Sequence, residues 1–188
     1  MITAVLLAAG TSERMGRCKQ LLFYGDKPLV RIAAEAAVAA PVDEVVVVTG
    51  CQAQKVQAAL KGLPVKLVFN PAYASGQGSS LAAGVRAASP RAAALVFLLA
   101  DQPLVTASLI GRLLAVYQQT WPLALRPNYR GRPGHPVIIK ATLRPQLEAL
   151  SGDQGARSLL ASWGDQVLDL EVDDPAIIFD IDTPDDLR

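Results

Sequence analysis

Histidine is nearly absent from this 188-residue chain, His135 being the only one, and cysteine is limited to Cys18 and Cys51. That set excludes a Cys/His zinc site and a disulfide framework. Aromatic residues make up 5% and the basic residues are scattered, so the stacking platforms and basic patches of a nucleic-acid module are missing. The longest clean apolar run, Ala92 to Ala100, is far shorter than a membrane span. The chain enters Ile2-Thr3-Ala4-Val5-Leu6-Leu7 with no basic flank ahead of it, which argues against a secretory signal. These absences lead us to expect a soluble, cytoplasmic protein that partners neither nucleic acid nor membrane. With 51% hydrophobic and 19% charged residues it packs rather than remaining disordered. Its length suits a single domain over residues 1–188.

Charge is unevenly spread. Residues 1–164 carry 17 Lys and Arg against 8 Asp and Glu, whereas residues 165–188 carry 1 against 9. A basic body suits an anionic ligand, and an acidic tail can supply metal-binding carboxylates. A merely solvated acidic face is the plainer reading of the tail alone.

Short β-branched runs alternate with alanine-rich stretches. Ile2–Leu7, Glu44–Thr49, Val65–Phe69 and Ala94–Leu99 predict strands apolar on both faces, as in a covered parallel sheet. Leu29–Ala40, Ala53–Lys61, Ser80–Ala88 and Ser108–Gln119 predict helices bounded by turn residues. Further on, Leu123–Arg126, Pro136–Ile139, Gln166–Leu170 and Ala176–Phe179 predict strands, and Leu143–Leu150 and Gly155–Trp163 short helices. The order implies a three-layer α/β/α sandwich around a mostly parallel, doubly wound sheet. Ligands of such sheets bind beyond the carboxyl ends of the strands.

The loops at those ends carry the chemistry. After the first strand, Ala8-Ala9-Gly10 is followed by Ser12, Arg14, Gly16 and Lys19. Small residues let backbone approach a ligand, and Ser12, Arg14 and Lys19 can bond phosphate oxygens. The spacing fits neither the P-loop nor G-x-G-x-x-G. Asp101 directly follows a buried strand, where a carboxylate is costly unless paired or bound to a metal such as Mg2+; capping the next turn is the simpler role. Asp180-Ile181-Asp182-Thr183-Pro184 places alternate carboxylates on one strand face ahead of a cap. Asn70 and Gly76 through Ser80 form a turn into a helix N-terminus, which favours anions. The stretches around Arg132, Gly134 and His135, and around Asp153 and Arg157, read as loops lining a second pocket.

In these segments the chain resembles the molybdenum cofactor nucleotidyltransferases, MobA-like NTP transferase domains of glycosyltransferase-A-like fold, and among them the cytidylyltransferase branch. The family's L-A-A-G-x-S-x-R-M-G-x-x-K stands here at Leu7 to Lys19, and its L-A-D-Q-P at Leu99 to Pro103. G-H-P stands at Gly134 to Pro136, G-D-x-G-A-R at Gly152 to Arg157, and D-x-D-T-P-x-D-L at Asp180 to Leu187. The first motif marks the superfamily; the G-H-P and G-D-x-G-A-R pair is more specific. The resemblance implies transfer of CMP from CTP, or a guanylyl variant from GTP, to the phosphate of molybdopterin. It implies nucleotide contacts from Leu7, Ala8, Ala9, Gly10, Ser12, Gly16, Asn70, Gly78, Ser79 and Ser80, with Lys19 and Arg14 on the phosphates. It further implies Mg2+ on Asp101 and Asp182, with Asp180 as an additional carboxylate. Arg132, Gly134, His135, Asp153 and Arg157 would face the acceptor, and a molybdoenzyme would receive the product. Ala9 leans towards CTP, since the guanylyl branch reads L-A-G-G there.

Other classes remain beside this reading. One is a non-catalytic carrier of molybdenum cofactor, and another is transfer to a different phosphorylated acceptor. A serine hydrolase is suggested by the order Ser80, Asp101, His135, but no strand leads into Ser80.

Overall fold

Strand β1 (Ile2–Ala8) divides its side chains between two cores, Ile2, Ala4, Leu6 and Ala8 entering one and Val5 the other. The computed structural model describes residues 1–11, 18–153 and 155–187. Along the chain β1 is followed by the hairpin β2 (Phe23–Tyr24) and β3 (Lys27–Pro28), α1 (Leu29–Ala39), β4 (Glu44–Thr49) and α2 (Ala53–Ala59). Then come β5 (Lys66–Phe69), α3 (Gln77–Ala87), β6 (Ala94–Leu99), α4 (Ala107–Thr120) and β7 (Ala124–Tyr129). The final elements are β8 (Arg132–Pro133), β9 (Val137–Lys140), α5 (Arg144–Glu148), α6 (Arg157–Trp163) and β10 (Val167–Glu171).

Strand order in the main sheet is β10-β7-β9-β6-β1-β4-β5, with β8 pairing β7. Neighbours β6-β1-β4-β5 run parallel, as do β10 and β7; β9 is antiparallel to both β6 and β7. Helices α1, α2 and α4 contribute Val30, Ala34, Val56 and Leu113 to the core on one face. On the other face, α3, α5 and α6 contribute Leu81, Val85, Leu147 and Leu160. The three-layer, doubly wound expectation is therefore met.

Local signals explain several elements. In α1 the buried residues Leu29, Val30, Ala33, Ala34 and Ala37 follow helical spacing, and Pro28 supplies its fixed φ just ahead. Helix α4 starts at Thr106, whose side-chain oxygen accepts from the Leu109 N–H. Helix α3 lies directly on the sheet because Gly84 has no side chain: a Cβ there would meet Val5 Cγ1 at 2.4 Å and Val48 Cγ2 at 2.9 Å.

Three expectations need correction. The predicted strand Val65–Phe69 is covered on both faces only in expectation: β5 is an edge strand with Leu67 and Phe69 37% and 56% exposed. Ala176–Phe179 is not a strand. Residues Pro175–Ile178 form a 3-10 turn capped by Asp174, whose carboxylate accepts from the Ala176 N–H, and Pro175 opens the turn. The segment after it, with Asp180 and Asp182, lies outside any strand, so those carboxylates do not share a strand face. No described helix is long and apolar enough to cross a membrane.

Candidate active site

A cleft of about 530 Å³ opens where the carboxyl ends of β1 and β6 meet the start of α3. Its floor is Leu7, Ala9 and Gly10 from the first strand and loop, and Leu99 to Asp101 from β6. Tyr73, Gly76, Gln77 and Ser80 form one wall, with Asp153 beside them; Lys19 and Asp182 close another. These walls are fastened to one another through the backbone. Ala100 N–H donates to the Leu7 carbonyl, and Gly78 N–H donates to the Gly152 carbonyl at 2.9 Å. At Gly76 (φ +117°) a Cβ would sit 2.3 Å from the Gly152 carbonyl carbon, so only glycine allows the 152–153 loop onto the start of α3.

Charge converges on Lys19. Its ammonium donates to Asp101 Oδ2 at 2.8 Å and to Asp182 Oδ1 at 2.9 Å. Burial disfavours the charge on Lys19, but the hydrogen bonds it donates to both carboxylates, with their negative charge, outweigh this and the pKa lies above the ordinary lysine value. A carboxylate pair is a hard-oxygen donor set of the kind a divalent cation such as Mg2+ or Mn2+ prefers. Among the described residues, no group of three or more His, Cys, Asp or Glu side chains is placed to hold a metal. Asp101 and Asp182 would therefore act as a pair.

His135 lies next to this cluster. Burial pushes its pKa down to about 4, against the opposing pull of the Asp101 charge, so the imidazole is neutral. Its backbone N–H donates to the Ile177 carbonyl, and a Cβ on the preceding Gly134 would come within 2.2 Å of that same oxygen. The G-H segment is thus wedged against the carboxyl-terminal turn. Cys18, buried under the cleft, donates its thiol to Gln20 Oε1 at 3.0 Å. Burial raises that thiol to about 12, which makes it a packing group rather than a nucleophile.

The expected nucleotide residues divide in three. Leu7, Ala9, Gly10 and Ser80 line the cleft. Ala8 is buried beneath it, and Asn70 braces the α3 turn by donating from Nδ2 to the Ser79 and Ser80 hydroxyls at 2.9 and 3.0 Å. Gly78 and Ser79 lie in that turn, Gly78 buried within the helix. Ser12, Arg14 and Gly16 lie outside the described residues. On the acceptor side Asp153 reaches the cleft wall, while Arg132 is exposed on β8 and Arg157 is exposed at the start of α6. Ser80 sits inside α3 with its hydroxyl bonded by Asn70, not on a strand-to-helix elbow, which removes the basis of the hydrolase order.

Sequence reasoning passed over Gln20 and Tyr73, both on the cleft wall, and gave no role of their own to Gln77 within the 76–80 turn or to the buried Gln102 within L-A-D-Q-P. Gln20 Nε2 donates to the Gly10 carbonyl at 3.1 Å and so holds the first loop in place. Its position directly after Lys19 was the available signal.

Residues 4–167 match the MobA-like NTP transferase domain. Nicotine blue oxidoreductase from Paenarthrobacter nicotinovorans is 40% identical over 167 residues, which cover 85% of this chain and 81% of that protein. Molybdenum cofactor cytidylyltransferase from Escherichia coli K12 is 27% identical over 191 residues, covering 98% and 93%. Among solved structures, Rv0371c from Mycobacterium tuberculosis H37Rv aligns with a TM-score of 0.88 at 32% identity, covering 98% of this chain and 94% of that one. The same protein has been solved in complex with manganese (TM-score 0.83, 31% identity, covering 98% and 94%). A nucleotidyl transferase from Methanothermobacter aligns at 0.84 with 26% identity, covering 99% and 94%.

Proposed function

The chain belongs to the MobA-like NTP transferase domain family, and from that premise we propose that it transfers CMP from CTP to the terminal phosphate of molybdopterin, releasing pyrophosphate. The observation that carries the proposal is the Lys19, Asp101 and Asp182 cluster at the carboxyl ends of β1 and β6. A phosphoryl-transfer centre needs such a concentration of mobile positive and hard negative charge.

In the proposed reaction an oxygen of the molybdopterin phosphate attacks the α-phosphorus of CTP in line. The bond from that phosphorus to the α–β bridging oxygen breaks, and pyrophosphate leaves with the electron pair. Asp101 and Asp182 would hold Mg2+, which would supply charge neutralisation at the phosphates. Lys19 places its ammonium on the leaving phosphates, joined by Arg14. Leu7 to Gly10 offer a close backbone approach to the nucleotide, Ser12 and Gly16 are assigned to it by the motif alone, and Asn70 and Gly78 to Ser80 shape the wall beside it. The attacking oxygen is already anionic, so no general base is required, and a neutral His135 is consistent with that. His135 offers one donor and one acceptor nitrogen to the acceptor, in company with Gly134, Asp153, Arg132 and Arg157. A molybdoenzyme is the natural recipient of the product.

Pyrophosphate release with Mg2+ and molybdenum-loaded molybdopterin tests this, with CTP, GTP and ATP compared. Release with CTP supports the proposal, while release with GTP alone moves the chain to guanylyl transfer. Binding of both ligands without release marks a carrier. The relative that is 40% identical is named nicotine blue oxidoreductase, so the same preparation is assayed for redox turnover of nicotine blue. Turnover there with no pyrophosphate release would replace the transferase reading.

A further inference from the structure

Resting on that reading, we propose that Gln102 is a positioning residue: it anchors Asp180 as a structural strut, not a metal ligand, and thereby sets Asp182 opposite Asp101. The amide is 2% exposed and donates from Nε2 to Asp180 Oδ1 at 2.7 Å and, more weakly, to the Ile177 carbonyl at 3.4 Å. Both acceptors belong to the carboxyl-terminal strap that delivers Asp182. Between the two aspartates, Ile181 is fully buried and its N–H donates to the Asp101 carbonyl at 2.9 Å. Asp180 and Asp182 therefore leave Ile181 towards different partners, one to Gln102 and the other to Lys19.

Two independent observations support a strut over a third ligand. Among the described residues, Asp101, Asp180 and Asp182 do not form a three-carboxylate group placed to hold an ion. In addition, Gln102 Oε1 is buried with no described partner. Leaving an acceptor unsatisfied is unfavourable, and an apolar side chain would avoid it. What the amide contributes there is the pair of hydrogen bonds its Nε2 donates.

The test measures Mn2+ affinity directly, by the electron paramagnetic resonance signal of the free ion, alongside pyrophosphate release. Asp180→Asn keeps an oxygen for Gln102 to bond, and it should bind Mn2+ within about threefold of wild type. Gln102→Leu and Asp180→Ala remove the strut, and each should weaken Mn2+ about tenfold, the scale of losing an outer-shell support. The swap Gln102→Glu with Asp180→Asn keeps the net charge and reverses the hydrogen bond, so it should recover most of that loss. A general structural defect would not be reversed this way. Loss of Mn2+ binding in Asp180→Asn equal to that in Asp101→Asn would make Asp180 a ligand and overturn the proposal. Unchanged affinity in Gln102→Leu would also overturn it. Should Gln102→Leu not fold, the Asp180→Asn and Asp180→Ala comparison decides alone. If Asp101→Asn itself binds Mn2+ as wild type does, the metal reading fails and this inference falls with it; if only Gln102→Leu is silent, the reading stands.

Discussion

Replacing His135 by Gln should make the protein resist acid better than the wild type does. In the unfolded chain this residue takes up a proton around its ordinary value of 6.5, whereas in the folded protein burial holds it neutral down to about 4. Between those limits the unfolded state binds more protons, so stability is full above pH 6.5 and falls as pH drops towards 4. The complete effect is about 3 kcal/mol, and at pH 5 about 2 kcal/mol of it is already felt. The ring is not wholly shut off from solvent, so about 1–2 kcal/mol is the working figure. Since His135 is the only histidine, no other side chain of that class titrates in this window. Asp180 works in the opposite sense, because burial raises its pKa and protonation relieves it as pH falls; that contribution is common to both proteins. Urea unfolding at pH 7.5 and pH 5 gives the two differences. The wild type should lose more than the His135→Gln variant by the stated amount, and equal losses would refute a neutral buried imidazole.

Removing charge at the cluster should separate its members. Lys19→Met should lower kcat/KM for pyrophosphate release about 10²–10³-fold in steady-state assays. Asp101→Asn should cost more turnover than Asp182→Asn, since the Asp101 side chain is 28% exposed and that of Asp182 65%; equal losses in steady-state assays would contradict that ranking. Gly84→Ala should destabilise by about 1–3 kcal/mol in urea unfolding, because the added methyl drives into Val5 and Val48 of the sheet.

Much of the fold was legible because β1, β4 and β6 are short and apolar on both faces, the signature of strands covered by helices. The loops after them were legible for a related reason, since a run of glycine, lysine and aspartate at the end of a buried strand has no packing role. Where the reading failed, tertiary context decided. Ala176–Phe179 carries strand-like apolar residues, yet the Asp174 cap and Pro175 turn it into a 3-10 segment that plugs Ala176 and Ile177 into the core. Val68 and Phe69 look like central-strand residues, and only the sheet order reveals an edge. The hairpin β2–β3 is two residues per strand, too short for any periodicity to register. Gln102 was invisible as a strut because its partner, Asp180, is 78 positions away.

The double ion pair of Lys19 has a thermodynamic consequence. Lys19 is the shared counter-ion of Asp101 and Asp182, which offsets the repulsion between the two carboxylates. A divalent ion arriving alone would have to compete with the ammonium for both carboxylates. Phosphates arriving alone would compete with two aspartates for the same lysine. When both arrive together, the carboxylates would turn to the metal and Lys19 to the phosphates, so neither ligand would compete with the other's partner. Metal and nucleotide should then raise each other's affinity by one and the same factor, as linkage requires.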